Sequence, residues 1–113
     1  MIKKYYHQKL IRDKIPEIIK AHGGEFELRK IDDKEFEIEL KKKLIEEAKE
    51  LTEIPKDRVI NELADVLEII KSLSAHYKIS FKNIEKYQTD KRRKRGGFKK
   101  KQFLVWSDEP AGK

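Results

Sequence analysis

Two helical stripes joined by a very short link constrain this chain more than anything else in it. At about 100° per residue, Phe36, Leu40, Leu44, Leu51 and Ile54 fall in one narrow arc. Asp32 or Asp33 is placed to cap that helix, which the pattern carries to about Thr52 before Pro55 breaks it. Asp57 is placed to cap the next helix, running to about Tyr77. Its broad apolar arc holds Val59, Ile60, Leu63, Val66, Leu67, Ile70 and Leu73. Only Glu53 to Lys56 connect the two, so they should pack antiparallel.

Carboxylates lie inside these apolar arcs. Glu47 falls within the first arc, with Glu50 at its edge three residues later. Glu62 shares a strip with Val66, Ile69 and Leu73, and Asp65 flanks it. Antiparallel packing then makes Glu47, Glu50, Glu62 and Asp65 face one groove. Burying a bare carboxylate costs several kcal/mol. Like charges at ~4 Å add up to about 4 kcal/mol per pair at an effective dielectric of 20. Such a set must be protonated or neutralised, and oxygen-only ligands suit Mg²⁺, with Mn²⁺ as the alternative. A lone ExxE is usually a solvated helix face, the reading given to Glu53 and Glu68. Two acidic pairs on helices forced together favour a metal site. Glu46 neighbours Glu50 on the wheel and is open to two roles, a base beside the metal or an ordinary surface charge.

Elsewhere the pattern is coarser. Pro16 suits the first turn of a short helix through Ile18, Ile19 and Ala21, ended by Gly23-Gly24. Glu25–Ile31 alternates and predicts a short strand, with Phe98–Trp106 as its pairing partner. Ser80 is placed to cap a third helix running into the basic stretch Lys91–Arg95, ended by Gly96-Gly97. Phe103 and Trp106 read as core or strand packing, His22 and His76 as surface residues near helix ends. Residues 107–113 read as a loose tail. The expectation is one mainly α domain over 1–113, two long antiparallel helices plus a third, with a short two-stranded β element.

Charge is unevenly spread. Residues 1–32 carry a net +3, residues 33–70 a net −5 and residues 71–113 a net +9, within an overall +7. A cation for the acidic middle and a phosphorylated ligand for the basic ends would satisfy both. The chain has no cysteine, which excludes disulfides, cysteine–zinc sites and a thiol nucleophile. No apolar run is long enough for a membrane span and none follows Met1 in signal-peptide form, so the cytoplasm is the expected compartment.

The motifs resemble a known family. Glu46-Glu47-x-x-Glu50 followed by Glu62-x-x-Asp65 resembles the EExxE…ExxD signature of the MazG-like all-α nucleoside triphosphate pyrophosphohydrolases. Lys9-Leu10-Ile11-Arg12-Asp13-Lys14-Ile15-Pro16 and Arg95-Gly96-Gly97-Phe98 resemble segments of its phosphoribosyl-ATP pyrophosphohydrolase-like, house-cleaning subgroup. The chain departs from that subgroup at His7-Gln8, and only eleven residues separate Glu50 from Glu62.

The resemblance implies a MazG-like bundle and hydrolysis of the α–β phosphoanhydride of a noncanonical nucleotide, to a monophosphate and pyrophosphate. Glu47, Glu50, Glu62 and Asp65 would hold Mg²⁺, and Glu46 or Glu47 would act on the attacking water. Lys9, Arg12, Lys14, Lys91, Arg92 and Arg95, with the backbone of Gly96 and Gly97, are the candidates for the phosphates. Ile38 and Ile45, on the face opposite Glu47, point with the family's habit to a homo-oligomer, a dimer or larger. Phosphoribosyl-ATP hydrolysis is the near alternative. A basic nucleic-acid-binding module or a non-catalytic helical scaffold ranks behind, because neither explains acids in apolar stripes.

Overall fold

The structure is a computed structural model that describes residues 3–111. Among the described residues four helices form in chain order: α1 (Ile15–Ala21), α2 (Asp33–Glu53), α3 (Val59–His76) and α4 (Phe81–Arg95), with a 3₁₀ turn at Lys56–Arg58. The chain divides into two compact units, residues 1–79 and residues 80–113.

In the first unit α2 and α3 pack together. Local chemistry starts α2 where expected. The Asp32 carboxylate accepts the Glu35 N–H at 2.8 Å, and Asp33 and Glu35 place negative charge at the positive end of the helix. Arg29 forks onto Glu35 at 2.7 and 3.1 Å, tying the incoming segment to this first turn. Extended backbone at Ile54 (φ −86°, ψ 145°) and Pro55 end the helix.

The next start differs from expectation. Asp57 caps nothing: it lies inside the 3₁₀ turn, where Arg58 N–H donates to the Pro55 carbonyl at 3.0 Å. That turn runs directly into α3, whose N-cap position is Arg58 and carries no side-chain cap. The five residues between α2 and α3, three of them in the 3₁₀ turn, leave no room for a separate capping residue, so the tighter helix serves as the entry.

The contact between α2 and α3 is narrow. Leu40 and Ile69 are its buried apolar residues, at 4% and 5% exposure, while Phe36, Leu44, Val66, Ile70 and Leu73 are half-buried. The broad apolar arc expected for α3 splits accordingly. Ile60, Leu63 and Leu67 stay exposed, because α2 covers one strip of α3 and these lie on another. Ile38 and Ile45 of α2 are also exposed.

The far end of the pair is locked by aromatic and charged groups. The His76 ring meets Phe36 edge-on at 5.6 Å, and its Nε2 lies 3.4 Å from Glu37 Oε1. His76 is therefore half-buried, not the surface residue expected of a helix end. The Tyr77 hydroxyl, with help from Lys41, holds the Glu37 carboxyl below its ordinary range. Past α3, Ile79 N–H donates to the Ser74 carbonyl at 2.9 Å and the Ser74 hydroxyl donates to the Ile79 carbonyl. These bonds fold the chain out of the helix through Lys78, whose φ is +58°.

Helix α1 ends as its glycines require. Gly23 takes φ +77°, and Gly24 N–H donates to the Ile19 carbonyl at 2.9 Å. A Cβ on Gly24 would meet Ile19 Cγ2 at 2.8 Å, so a larger residue there forces a shift.

The second unit holds α4. The Ser80 hydroxyl accepts Asn83 N–H at 3.1 Å, and Arg92, Arg93, Lys94 and Arg95 fill the last turn, where the helix dipole favours them. Gly96, at φ +82°, donates its N–H to the Arg92 carbonyl at 2.8 Å and closes the helix. The charge follows the same division: residues 1–79 hold 17 basic and 17 acidic side chains, residues 80–113 hold 11 and 4.

The predicted two-stranded element is not formed. Among the described residues there is no strand. Glu25–Ile31 lacks regular secondary structure, and Phe98 starts a turn closed by Lys101 N–H to the Phe98 carbonyl at 3.1 Å. A lone two-stranded ribbon is marginal in water, so alternation by itself does not hold these segments in register. Phe103 and Trp106, expected in packing, are exposed, and the predicted tail bends at residues 108–109, with 112 and 113 outside the described residues.

Leu40 sits at the centre of the thin contact, so Leu40→Ala should remove about 2–5 kcal/mol of stability. Urea denaturation followed by circular dichroism measures this. A loss below about 0.5 kcal/mol would mean the α2–α3 contact is not the core.

Candidate metal centre

The centre is built where the two helices face each other. Glu47 comes from the C-terminal half of α2, Glu62 and Asp65 from the first two turns of α3. Oxygens of Glu47, Glu62 and Asp65 lie within 4.8 Å of one another, as do oxygens of Glu46, Glu47 and Glu50. Glu47 belongs to both groups. Glu47 and Glu62 are buried, at 8% and 6% exposure, Asp65 is half-buried, and Glu46 and Glu50 are exposed.

The electrostatics follow from this geometry. A hydrogen bond shared with Glu62, burial and the Glu62 charge raise the Glu47 carboxyl above its ordinary range; Lys43 opposes the shift and Asp65 adds to it. Lys43 Nζ stands 3.8 Å from Glu47 Oε1. Arg12 Nη2 donates to Asp65 Oδ1 at 2.7 Å. One oxygen, Oε2 of Glu62, is buried with no hydrogen-bond partner. An unpaired buried oxygen of this kind costs about 1–3 kcal/mol or more.

These residues fit a hard divalent cation. The donors are all oxygen, and Mg²⁺ places cis ligands about 3 Å apart and trans ligands about 4 Å apart in its octahedron. Small side-chain rotations bring oxygens within 4.8 Å to that spacing. The orphaned Glu62 oxygen is available for such a ligand bond.

The sequence-derived set is therefore brought together in part. Glu47, Glu62 and Asp65 form the buried end of the cluster, while Glu46 and Glu50 join it through Glu47 at the exposed side. Arg12 meets Asp65, while Lys9 and Lys14 are exposed on the same segment. Lys91, Arg95, Gly96 and Gly97 belong to the second unit. There Arg92, Arg95 and Lys99–Lys101 surround the Gly96-Gly97 turn in a recess of about 450 Å³ that Lys91 does not line. Phe98, at 98% exposure, also borders it.

Two residues escaped the sequence reading. Lys43 lies one helical turn before Glu47, a spacing that signals the pair. Arg58 lines a recess of about 380 Å³ with Glu50, Glu53, Ile54, Pro55 and Glu62, at the bend between α2 and α3. Its position after Pro55 gave no periodic signal. No family model, curated protein or solved structure matches this chain. Among the described residues no helix is long and apolar enough to cross a membrane.

The raised Glu47 carboxyl has a pH consequence. The folded chain holds that proton more tightly than the unfolded chain, so this group costs stability above its folded pKa. As pH falls from the folded pKa toward the ordinary value of 4.5, the cost is relieved. Metal-free Glu47→Gln should therefore melt above the wild type at pH 8, the gap closing as pH approaches 4.5. Paired thermal melts check this, and a variant less stable than wild type at pH 8 would contradict it.

Proposed function

We propose that this chain is a Mg²⁺-dependent nucleoside triphosphate pyrophosphohydrolase of MazG-like type, a cytoplasmic enzyme that removes noncanonical nucleotides. The observation that carries the reading is the convergence of Glu47, Glu62 and Asp65, together with a buried Glu62 oxygen that has no hydrogen-bond partner. Buried acids in a helix pair this thin cost stability unless a proton or a cation joins them, and one divalent cation serves all three carboxylates. The family resemblance of the ordered motifs supplies the reaction class.

Phosphoryl transfer asks for charge neutralisation and an aligned water more than for covalent chemistry. A bound Mg²⁺ would neutralise the polyphosphate and acidify water. Glu47, Glu62 and Asp65 would hold the cation, with Glu50 as a further carboxylate ligand beside Glu47. Glu46, exposed beside them, takes the proton of the attacking water. That water adds to phosphorus as the α–β anhydride bond breaks, giving a nucleoside monophosphate and pyrophosphate. Arg58 borders the recess that Glu50 and Glu62 share and meets the phosphates there. Arg12, Lys9 and Lys14 on the N-terminal segment supply further cations.

The reading includes a homo-oligomer. Ile38 and Ile45 on α2 and Ile60, Leu63 and Leu67 on α3 leave the helix pair with apolar faces that α2–α3 packing does not cover. A second copy of the pair closes a MazG-like bundle over them. The cationic recess of the second unit favours one other reading, a nucleic-acid-binding module, whose affinity would fall steeply with salt.

The test is pyrophosphate release from canonical and modified NTPs, dNTPs and phosphoribosyl-ATP, with and without Mg²⁺, on protein of sedimentation-defined mass. The expected result is Mg²⁺-dependent release by a dimer or larger assembly. Glu47→Gln should lower the rate by at least about 100-fold. Preferred cleavage of phosphoribosyl-ATP would assign the histidine-pathway type of substrate. Folded protein that releases pyrophosphate from none of these, while binding oligonucleotides, would overturn the proposal.

A further inference from the structure

Arg12 occupies an unexpected place. Its position in the Lys9–Pro16 motif marks it for the phosphates of a ligand, yet its guanidinium donates to Asp65, 53 positions along the chain, at 2.7 Å. Asp65 is also one of the three carboxylates of the buried centre. The Arg12 carbonyl accepts Ile15 N–H at 3.1 Å, so the residue is anchored at the start of α1. Only its side chain needs to move for the ion pair to open.

The pair is built to open. Its side chains are 55% and 43% exposed, so water screens it and can solvate both charges when they part. Glu62 contrasts with this: its buried oxygen has no partner. Arg12 reaches only the outer carboxylate. A guanidinium beside Asp65 supplies one positive charge at the rim, whereas a divalent cation supplies two among all three carboxylates.

We infer that Arg12 is a displaceable counter-ion of the acidic centre: it neutralises Asp65 when no metal is bound, and an entering divalent cation releases it toward the ligand's phosphates. The inference rests on the metal-centre reading and adds its regulation. It makes metal entry and the Arg12–Asp65 tether mutually exclusive. It also couples metal loading to the availability of a phosphate-binding cation, so an unloaded centre presents a withdrawn Arg12. The contrasting role is a positioning residue, which would keep Asp65 Oδ1 while the cation takes the other oxygen.

The two roles differ in sign. Mn²⁺ titration followed by electron paramagnetic resonance, without nucleotide, reads the affinity directly. Removing a competitor tightens binding, so Arg12→Ala and Arg12→Gln should bind Mn²⁺ about two- to fivefold more tightly than wild type, the range an exposed ion pair commands. Hydrogen exchange gives a second reading. Mg²⁺ should speed exchange of the Arg12 guanidinium protons in wild type, as their bond to Asp65 opens, and leave it unchanged in Glu62→Gln. Unchanged or weaker Mn²⁺ binding in both Arg12 variants overturns the displacement, while the metal centre stands if Glu62→Gln abolishes binding. Wild-type protein that binds no Mn²⁺ at millimolar concentration overturns both readings.

Discussion

The contact of Glu47 with Glu62 is the constraint on which the rest depends. A five-residue link turns α3 back against α2, and the strip where they meet is narrow. Two of its buried side chains are carboxylates, and the Glu62 contact with burial raises the Glu47 carboxyl above its ordinary range. Leu40 and Ile69 supply little apolar burial to offset them. The helix pair is thus short of core and rich in buried acid, a cost that the proposed cation would offset. Exposed Ile60, Leu63 and Leu67 express the same shortage from the other side, because a two-helix contact cannot cover both faces of α3.

Features set by neighbours in sequence were legible before the structure. Asp32 and Ser80 cap their helices because a side-chain oxygen reaches an N–H three residues on, a purely local geometry. Gly23 and Gly96 end helices because each takes a positive φ that other residues resist. The acidic group Glu47, Glu62 and Asp65 was legible because helical spacing fixes each pair and the short link fixes their facing.

Features set by distant partners were not legible. A wheel counts apolar positions but does not say how many a neighbour covers, so Ile60 and Leu63 were assigned to a core they do not enter. Alternation suggested strands at Glu25–Ile31 and Phe98–Trp106, yet alternation needs a paired edge before it fixes a strand. Asp57 had the composition of a cap but not the spacing, since the link leaves only a 3₁₀ turn. The Arg12–Asp65 bond spans 53 positions and no local pattern encodes it. Charge adds a last layer: the net +7 resides entirely in residues 80–113, while residues 1–79 balance. The polyanion signal and the cation signal therefore belong to different parts of the chain.

The central claim is that Glu47, Glu62 and Asp65 act as one cation-binding group. Carboxyl ¹³C NMR resolved by residue, with Mg²⁺ titrated into metal-free protein, tests it most directly. The account predicts that these three carboxyl resonances shift together along one saturating curve, while Glu53 and Glu68 stay still. It also predicts that saturation removes the upward displacement of the Glu47 titration. Shifts spread evenly over surface carboxylates without saturation, or a Glu47 titration indifferent to Mg²⁺, would contradict it.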